Sequence, residues 1–352
     1  MLSPNYLLNL QDMLDRSEIR RFESVIGSSR KAVVMSHYSP DGDAVGSIVA
    51  CSEYLISRGL SVTPILPSPV AHNLKFLTAK TDVVIFEEEG DRSLDAVASA
   101  DLIVCLDISK LQRTEYLAEA VGSSQAVKVL VDHHVRQQEG EFDIEFSTVG
   151  VSSTCELLFD LLMKMKDVSG DVSKLSMECA AALYTGMMTD TNNFSNSVFP
   201  GTFAMGGALL SRGIDKDRIQ EQVFKSYSAA RMKLMGHLLY NKMHILPEYG
   251  AAYMILTEAE KKQYEYSTGD SEGFVNLPLS IGDVRISALF TETSTGYIRV
   301  SLRSKCGTDV NVLAGKWYNG GGHVNASGGR LFIPADEVGD YFVNSLKDYF
   351  GK

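Results

Sequence analysis

Short, apolar, β-branched runs alternate with helix-spaced segments over roughly the first 200 residues. The runs are "KAVVMSH" (31–37), "SVTPIL" (61–66), "DVVIF" (82–86), "DLIVCLD" (101–107) and "AVKVLVD" (126–132). Several are apolar at successive positions, so both faces of the strand need cover. That pattern predicts a parallel sheet with helices on each side. Crossover helices are expected over 43–58, 153–166 and 175–188.

The stretch 216–241, with little turn chemistry inside it, reads as one connecting helix. Beyond it, "AAYMILT" (251–257), "VRISALFTE" (284–292) and "YIRVSLRS" (297–304) read as strands of a second sheet. They are followed by a helix-like "DVNVLAGKWY" and an amphipathic helix near 336–350. At 352 residues the chain exceeds what one core usually serves. The expected organisation is α/β with an N-terminal parallel-sheet domain (1–212), a helical linker (213–243) and a smaller C-terminal α/β domain (244–352).

Composition narrows the setting. Apolar residues make up 45% and charged residues 22%, and no run approaches the roughly 18 apolar residues of a membrane span, so no membrane partner is expected. The first 22 residues have helix-spaced apolar positions broken by acids and arginines, unlike an export signal. Cys51, Cys105, Cys155, Cys179 and Cys306 are odd in number and contain no CxxC, as expected of reduced thiols in a cytoplasmic protein. A net charge of −11 argues against gripping long duplex nucleic acid, which needs a basic surface. A small phosphate ester held at a local metal site remains compatible with that charge.

The chemistry lies where the apolar runs stop. "SHYSPDGDAVGS" (36–47) puts His37, Asp41 and Asp43 in a Pro/Gly turn after the first strand, "DLIVCLDIS" delivers Asp107, and "VKVLVDHH" delivers Asp132, His133 and His134. In an open α/β sheet that edge is where ligands bind. Taken alone, the first stretch is equally a helix cap and a turn. Three strands that each deliver a carboxylate or imidazole to one edge are not explained by turn chemistry. Asp190, in "ALYTGMMTDTNNF", follows an apolar helix instead. His37, Asp41, Asp43, Asp107, His133 and Asp190 are oxygen and imidazole donors without a thiolate, a set suited to Mn²⁺ or Mg²⁺. So many carboxylates imply two divalent cations, an arrangement that serves phosphoester hydrolysis. Asp132 is expected behind His133 as the acceptor that fixes its imidazole, with His134 facing the substrate phosphate. His72, His237 and His244 lack acidic neighbours at ligand spacing and receive no role.

These stretches, with "GGGHVNASGG" (320–329), resemble the ordered motifs of the DHH phosphoesterase superfamily and of its DHH-associated C-terminal domain, over essentially the whole chain. The resemblance implies that His37 and Asp41 hold one Mn²⁺, that Asp43, His133 and Asp190 hold the other, and that Asp107 bridges them. It also implies a supporting role for Asp132, a substrate-facing role for His134, and catalytic duty for both with Asp107.

In the C-terminal motif, Gly320, Gly321 and Gly322 before His323 allow backbone N–H groups to approach an anion; Ser327 belongs to the same candidate substrate site. Strand alternation sets Arg303 on the polar face of "YIRVSLRS", as a phosphate clamp.

The branch implied is the stand-alone one that degrades RNAs of a few nucleotides, including pApA and pGpG, and dephosphorylates 3'-phosphoadenosine 5'-phosphate (pAp). A homodimer is an assembly it allows. The alternatives are a soluble cyclic di-AMP phosphodiesterase and, more distantly, an exopolyphosphatase or pyrophosphatase, against which "GGGHVNASGG" speaks. A non-enzymatic nucleotide sensor would require a missing metal ligand, and none is missing.

Overall fold

Six strands form the first sheet: β1 (Lys31–Met35), β2 (Ser61–Leu66), β3 (Val84–Ile85), β4 (Leu102–Leu106), β5 (Val127–Asp132) and β6 (Ile144–Ser147). All pair in parallel, in the order β3-β2-β1-β4-β5-β6. This computed structural model describes residues 14–135 and 140–351; residues 1–13, part of the segment read above for an export signal, lie outside it.

Alternation along the strands sends side chains to two cores. Val34, Val104, Leu106 and Val131 join one apolar cluster, while Val33, Met35, Ile103, Cys105 and Leu130 join another. Double cover explains why the runs are continuously apolar. The longer helices of this part are α1 (Arg16–Ser28), α2 (Gly42–Ser57), α3 (Gly90–Ser99), α4 (Thr154–Lys164), α5 (Met177–Asp190), α6 (Pro200–Arg212) and α7 (Lys216–Phe224). The expected crossovers at 43–58, 153–166 and 175–188 correspond to α2, α4 and α5. β6 was not anticipated, because "IEFS" is four residues long and flanked by acids.

The order reverses between β1 and β4. From β1 the chain runs outward to β2 and β3, then returns across the sheet to β4, leaving a crevice beyond the carboxyl ends of β1 and β4.

The expected single helix over 216–241 is two. α7 ends at Phe224, and α8 (Ala229–His237) begins afresh behind Ser228, whose side chain accepts the Arg231 N–H as its cap. A π-helical turn, Leu238–Lys242, closes α8. Ser226 and Ser228 supplied the interrupting chemistry that the apolar pattern masked. The chain divides into two compact units at this break, between Ser226 and Tyr227, inside the segment expected as the linker.

The second unit contains a mixed sheet ordered β11-β12-β10-β9-β8-β7. Its strands are β7 (His244–Leu246), β8 (Ala251–Leu256), β9 (Ile286–Glu292), β10 (Ile298–Ser304), β11 (Gly321–His323) and β12 (Ala326–Leu331). Only β8 and β9 pair in parallel. Ile298, Val300 and Leu302 pack in one core with residues of α9 (Val310–Trp317) and α10 (Val338–Phe350). A second cluster, including Leu234, Leu238, Met254, Phe274 and Leu289, brings α8 and the 274–280 turn together with strands β8 and β9. Among the described residues, no helix is long and apolar enough to cross a membrane.

Candidate metal centre

The crevice gathers the donors of the N-terminal unit. His37 lies two residues beyond β1, Asp107 directly follows β4, and His133 and His134 follow β5. Asp107 adopts a left-handed backbone (φ 59°), a conformation a short polar side chain tolerates. Its N–H still donates to the Val131 carbonyl at 3.0 Å, which ties it to β5.

Ligand-capable atoms of His37, Asp41 and Asp107 lie within 4.8 Å of one another, and so do those of Asp43, Asp107 and His133. Asp107 is common to both triads. His37 Nδ1–H donates to the Tyr38 carbonyl at 2.9 Å, which turns its Nε2 toward Asp107 Oδ2, 3.3 Å away. His133 Nε2 lies 3.4 Å from Asp190 Oδ2, 3.7 Å from Asp107 Oδ1 and 3.9 Å from Asp43 Oδ2. Asp190, the last residue of α5, thereby joins the second triad.

Two helix N-termini hold the carboxylates. Asp41 caps α2, accepting from the Asp43 and Ala44 N–H groups at 3.1 Å each, so the capping reading of this turn is also correct. Asp43 accepts from the first N–H groups of α4, Thr154 at 2.6 Å and Cys155 at 2.9 Å. The Thr154 hydroxyl donates to Asp107 Oδ1 at 3.0 Å. Behind it, buried Glu156 accepts from the Ser152 N–H at 3.0 Å, from the Thr202 hydroxyl at 2.7 Å and from the Ser152 hydroxyl. That network shapes the turn that aims Thr154. Neither Thr154 nor Glu156 was singled out from the sequence; "SSTCE" carries only a cap signal.

Asp190 reaches the crevice because α5 crosses α2 closely. A Cβ on Gly46 would meet the Ala182 carbonyl at 2.6 Å, and one on Gly186 would meet Cys155 Sγ at 2.3 Å and Asp43 Oδ1 at 3.0 Å. No larger residue fits at either position without displacing a neighbour.

Asp132 differs from expectation. Its Oδ1 accepts the Nδ1–H of His134 at 2.8 Å, so it orients His134 and not His133. Burial draws the His134 pKa down, but the hydrogen bond to Asp132 and the charges of Asp107 and Asp132 hold it above its usual range. His133, by contrast, is pushed down to about 4 by burial and by the neighbouring His134, and stays neutral. Burial, with the charges of Asp107 and Asp41, raises Asp43 well above the ordinary carboxylate range. Burial acts on Asp107 too, but the His37 hydrogen bond and the surrounding imidazoles outweigh it and hold Asp107 low.

In the second unit, Ala326 of β12 pairs with Arg303 on one side and His323 on the other. These two candidates therefore share one cross-strand row and one face. The glycines differ from expectation. Gly321 and Gly322 belong to strand β11, the Gly322 N–H donates to Asn311 Oδ1 at 2.8 Å, and the Gly320 N–H to the Ala314 carbonyl at 3.2 Å. The N–H groups of Gly320 and Gly322 are thus taken by α9 and not turned to an anion. A Cβ on Gly320 would sit 1.8 Å from the Gly328 carbonyl, and one on Gly322 2.5 Å from that of Ala326. Ser327 is buried, and its hydroxyl donates to the His323 carbonyl at 2.8 Å, bracing the β11–β12 hairpin. His237, given no role above, faces Glu260 Oε1 at 3.0 Å, a partner distant in sequence.

Residues 31–187 match the DHH family, N-terminal domain, and residues 249–352 match the DHHA1 domain. The chain is 26% identical to a probable bifunctional oligoribonuclease and PAP phosphatase NrnA of Streptococcus mutans, over 88% of this chain and 92% of that one. A cyclic-di-AMP phosphodiesterase GdpP of Geobacillus thermodenitrificans is 24% identical over 93% of this chain, which spans 48% of that longer protein. The crystal structure of an exopolyphosphatase-related protein from Bacteroides fragilis is 36% identical, with a TM-score of 0.88 over 96% of this chain and 98% of that one.

Proposed function

The chain belongs to the DHH family, with a DHHA1 domain following the DHH domain, and is a phosphoric ester hydrolase; we propose that it hydrolyses short oligoribonucleotides to mononucleotides and dephosphorylates pAp. The observation that carries this reading is the shared Asp107: two triads of oxygen and imidazole donors meet at one buried carboxylate. The donors fit a pair of hard divalent cations. They are carboxylate oxygens and imidazole nitrogens, and the nearby Cys155 thiol is held protonated by burial and by Asp43. His37, Asp41 and Asp107 would hold one cation, Asp43, His133, Asp190 and Asp107 the other, with Mn²⁺ the ion assigned.

When bound, such a pair supplies a water nucleophile at neutral pH and stabilises the leaving oxygen. The protein's own contribution is positional. Thr154 and the start of α4 fix Asp43 and Asp107, and Asp132 fixes the ring of His134 so that its protonated edge can meet a phosphate oxygen. In the second unit, Arg303 and His323 offer a guanidinium and an imidazole in one cross-strand row for a substrate phosphate. The relative named NrnA supports the substrate class. The relative named GdpP favours a second reading, hydrolysis of cyclic di-AMP at the same centre.

The test is Mn²⁺-dependent release of mononucleotide from pGpG, with Asp107→Ala alongside. Wild type alone should turn over. Full activity in Asp107→Ala would sink the two-cation reading, and turnover of cyclic di-AMP or polyphosphate in place of pGpG and pAp would sink the substrate assignment.

A further inference from the structure

The segment that follows Asp107 holds an arginine and an exposed aromatic ring that the centre described above does not use. Arg113 is half-buried and donates one N–H to the Asp107 carbonyl at 3.3 Å. Its own carbonyl accepts the Tyr38 N–H at 2.9 Å, which ties the segment to the residue after His37. Its charge opposes protonation of both His133 and His134, so the guanidinium lies within electrostatic reach of the centre. Among the described residues it forms no ion pair. In a chain of net charge −11, a half-buried guanidinium beside a carboxylate cluster, with no carboxylate of its own, is placed for an anion from outside.

Three residues on, Tyr116 is 60% exposed. Its ring stacks on Phe86 (centroids 5.4 Å, planes 11° apart) and meets Tyr38 edge-on (6.4 Å, 76°). Between them, Glu115 takes a positive φ of 51°, strained for a side chain of its kind. A tyrosine that served only to seal a core would not leave most of its surface in water. A ring braced by Phe86 and Tyr38 at the rim of a phosphate site is a platform on which a flat ligand can stack.

We propose that Arg113 and Tyr116 form a nucleotide subsite of the N-terminal unit, Tyr116 stacking the base and Arg113 pairing with the phosphate of the same nucleotide. The inference rests on the nucleotide-hydrolase reading for its ligand class, but it is tested by binding, not turnover.

Calorimetric titration of the full-length protein, with Mn²⁺ present, compares AMP with ribose 5-phosphate, which has the phosphate and no base. Wild type should prefer AMP. Tyr116→Ala should weaken AMP by about tenfold, the order expected for loss of a base–aromatic stack, and leave ribose 5-phosphate unchanged. Tyr116→Phe should retain the preference, which separates stacking from any role of the hydroxyl. Arg113→Ala should weaken both ligands. An unchanged ratio of AMP to ribose 5-phosphate affinity in Tyr116→Ala overturns the subsite, as does a wild type without base preference. Base-dependent binding lost in Tyr116→Ala, in a protein that fails to cleave pGpG, would sink the hydrolase reading and leave the subsite standing.

Discussion

Gly186→Ala is the substitution that most directly tests how the centre is assembled. In an exposed helix the change would stabilise by about 1 kcal/mol through helix propensity. Here the new methyl would lie 2.3 Å from Cys155 Sγ, 3.0 Å from Asp43 Oδ1 and 3.1 Å from Asp43 Cα. Cys155 is fully buried, with its sulfur against the Asp43 carbonyl at 3.6 Å, so it has little room to rotate. Overpacking of this kind costs about 1–3 kcal/mol, and against the propensity gain the net loss should be about 1 kcal/mol. That corresponds to a fall in Tm of roughly 2–4 °C for a unit of this size.

The functional loss should be larger in proportion. Relief of the clash pushes α5 away from α2 and α4, which moves Asp190 and Asp43 apart, and misplacement by ~1 Å can cost about a hundredfold in rate. Thermal melting and Mn²⁺-dependent turnover of pGpG measure the two effects. Cys155→Ala in the same chain removes the 2.3 Å contact and leaves the 3.0 and 3.1 Å approaches to Asp43. The double variant should therefore recover stability beyond additivity, and activity in part. A Gly186→Ala protein as stable and as active as wild type, or a strictly additive double variant, would refute this account of the packing.

Two further outcomes follow from the geometry. Burial, helped by the charge of Glu156, raises the Asp160 pKa to about 6 from 3.8, so the folded state keeps a proton the unfolded state releases. Stability from this group is complete below pH 4 and is lost as pH rises through 6, by at most about 3 kcal/mol; Asp160→Asn should flatten that slope and melt higher at pH 7, and parallel slopes for the two proteins would contradict it. Arg303→Ala should raise KM for pGpG roughly tenfold with kcat within about twofold, since a charge-assisted hydrogen bond contributes about 1.5–3 kcal/mol to binding; an unchanged KM would remove Arg303 from substrate binding.

The parts of this protein legible in its sequence are those in which one residue type signals one environment. β1, β4 and β5 were readable because buried parallel strands must be apolar throughout, and His37, Asp107 and His133 were readable because each stands at the close of such a run. β12 was not, since "ASGGRL" lacks the bulk that marks a strand; its glycines admit the neighbouring backbone. Asp132 could be seen as a partner for an imidazole, but two adjacent histidines gave no means of saying which, and the backbone path past β5 decided for His134. The N–H groups of Thr154 and Cys155 left no trace at all, because every residue but proline offers one.

Those unreadable groups explain how so much negative charge can be folded into one crevice. Carboxylates within 4.8 Å of one another repel by at least about 3 kcal/mol per pair at an effective dielectric constant near 20. A helix N-terminus returns up to about 2 kcal/mol to a carboxylate it touches, and Asp41 and Asp43 each have one, from α2 and α4 respectively. Asp107, with no helix of its own, leans on the Thr154 hydroxyl and His37 instead. The offsets bring the donors together without cancelling their repulsion, and the remainder appears as a proton favoured on Asp43 and disfavoured on Asp107. A divalent cation that takes this place must displace that proton, so its affinity rises with pH until Asp43 has lost it. On the proposed two-cation reading the scaffold holds its donors close enough for a small, doubly charged ion, and the packing of Gly46 and Gly186 sets how close that is.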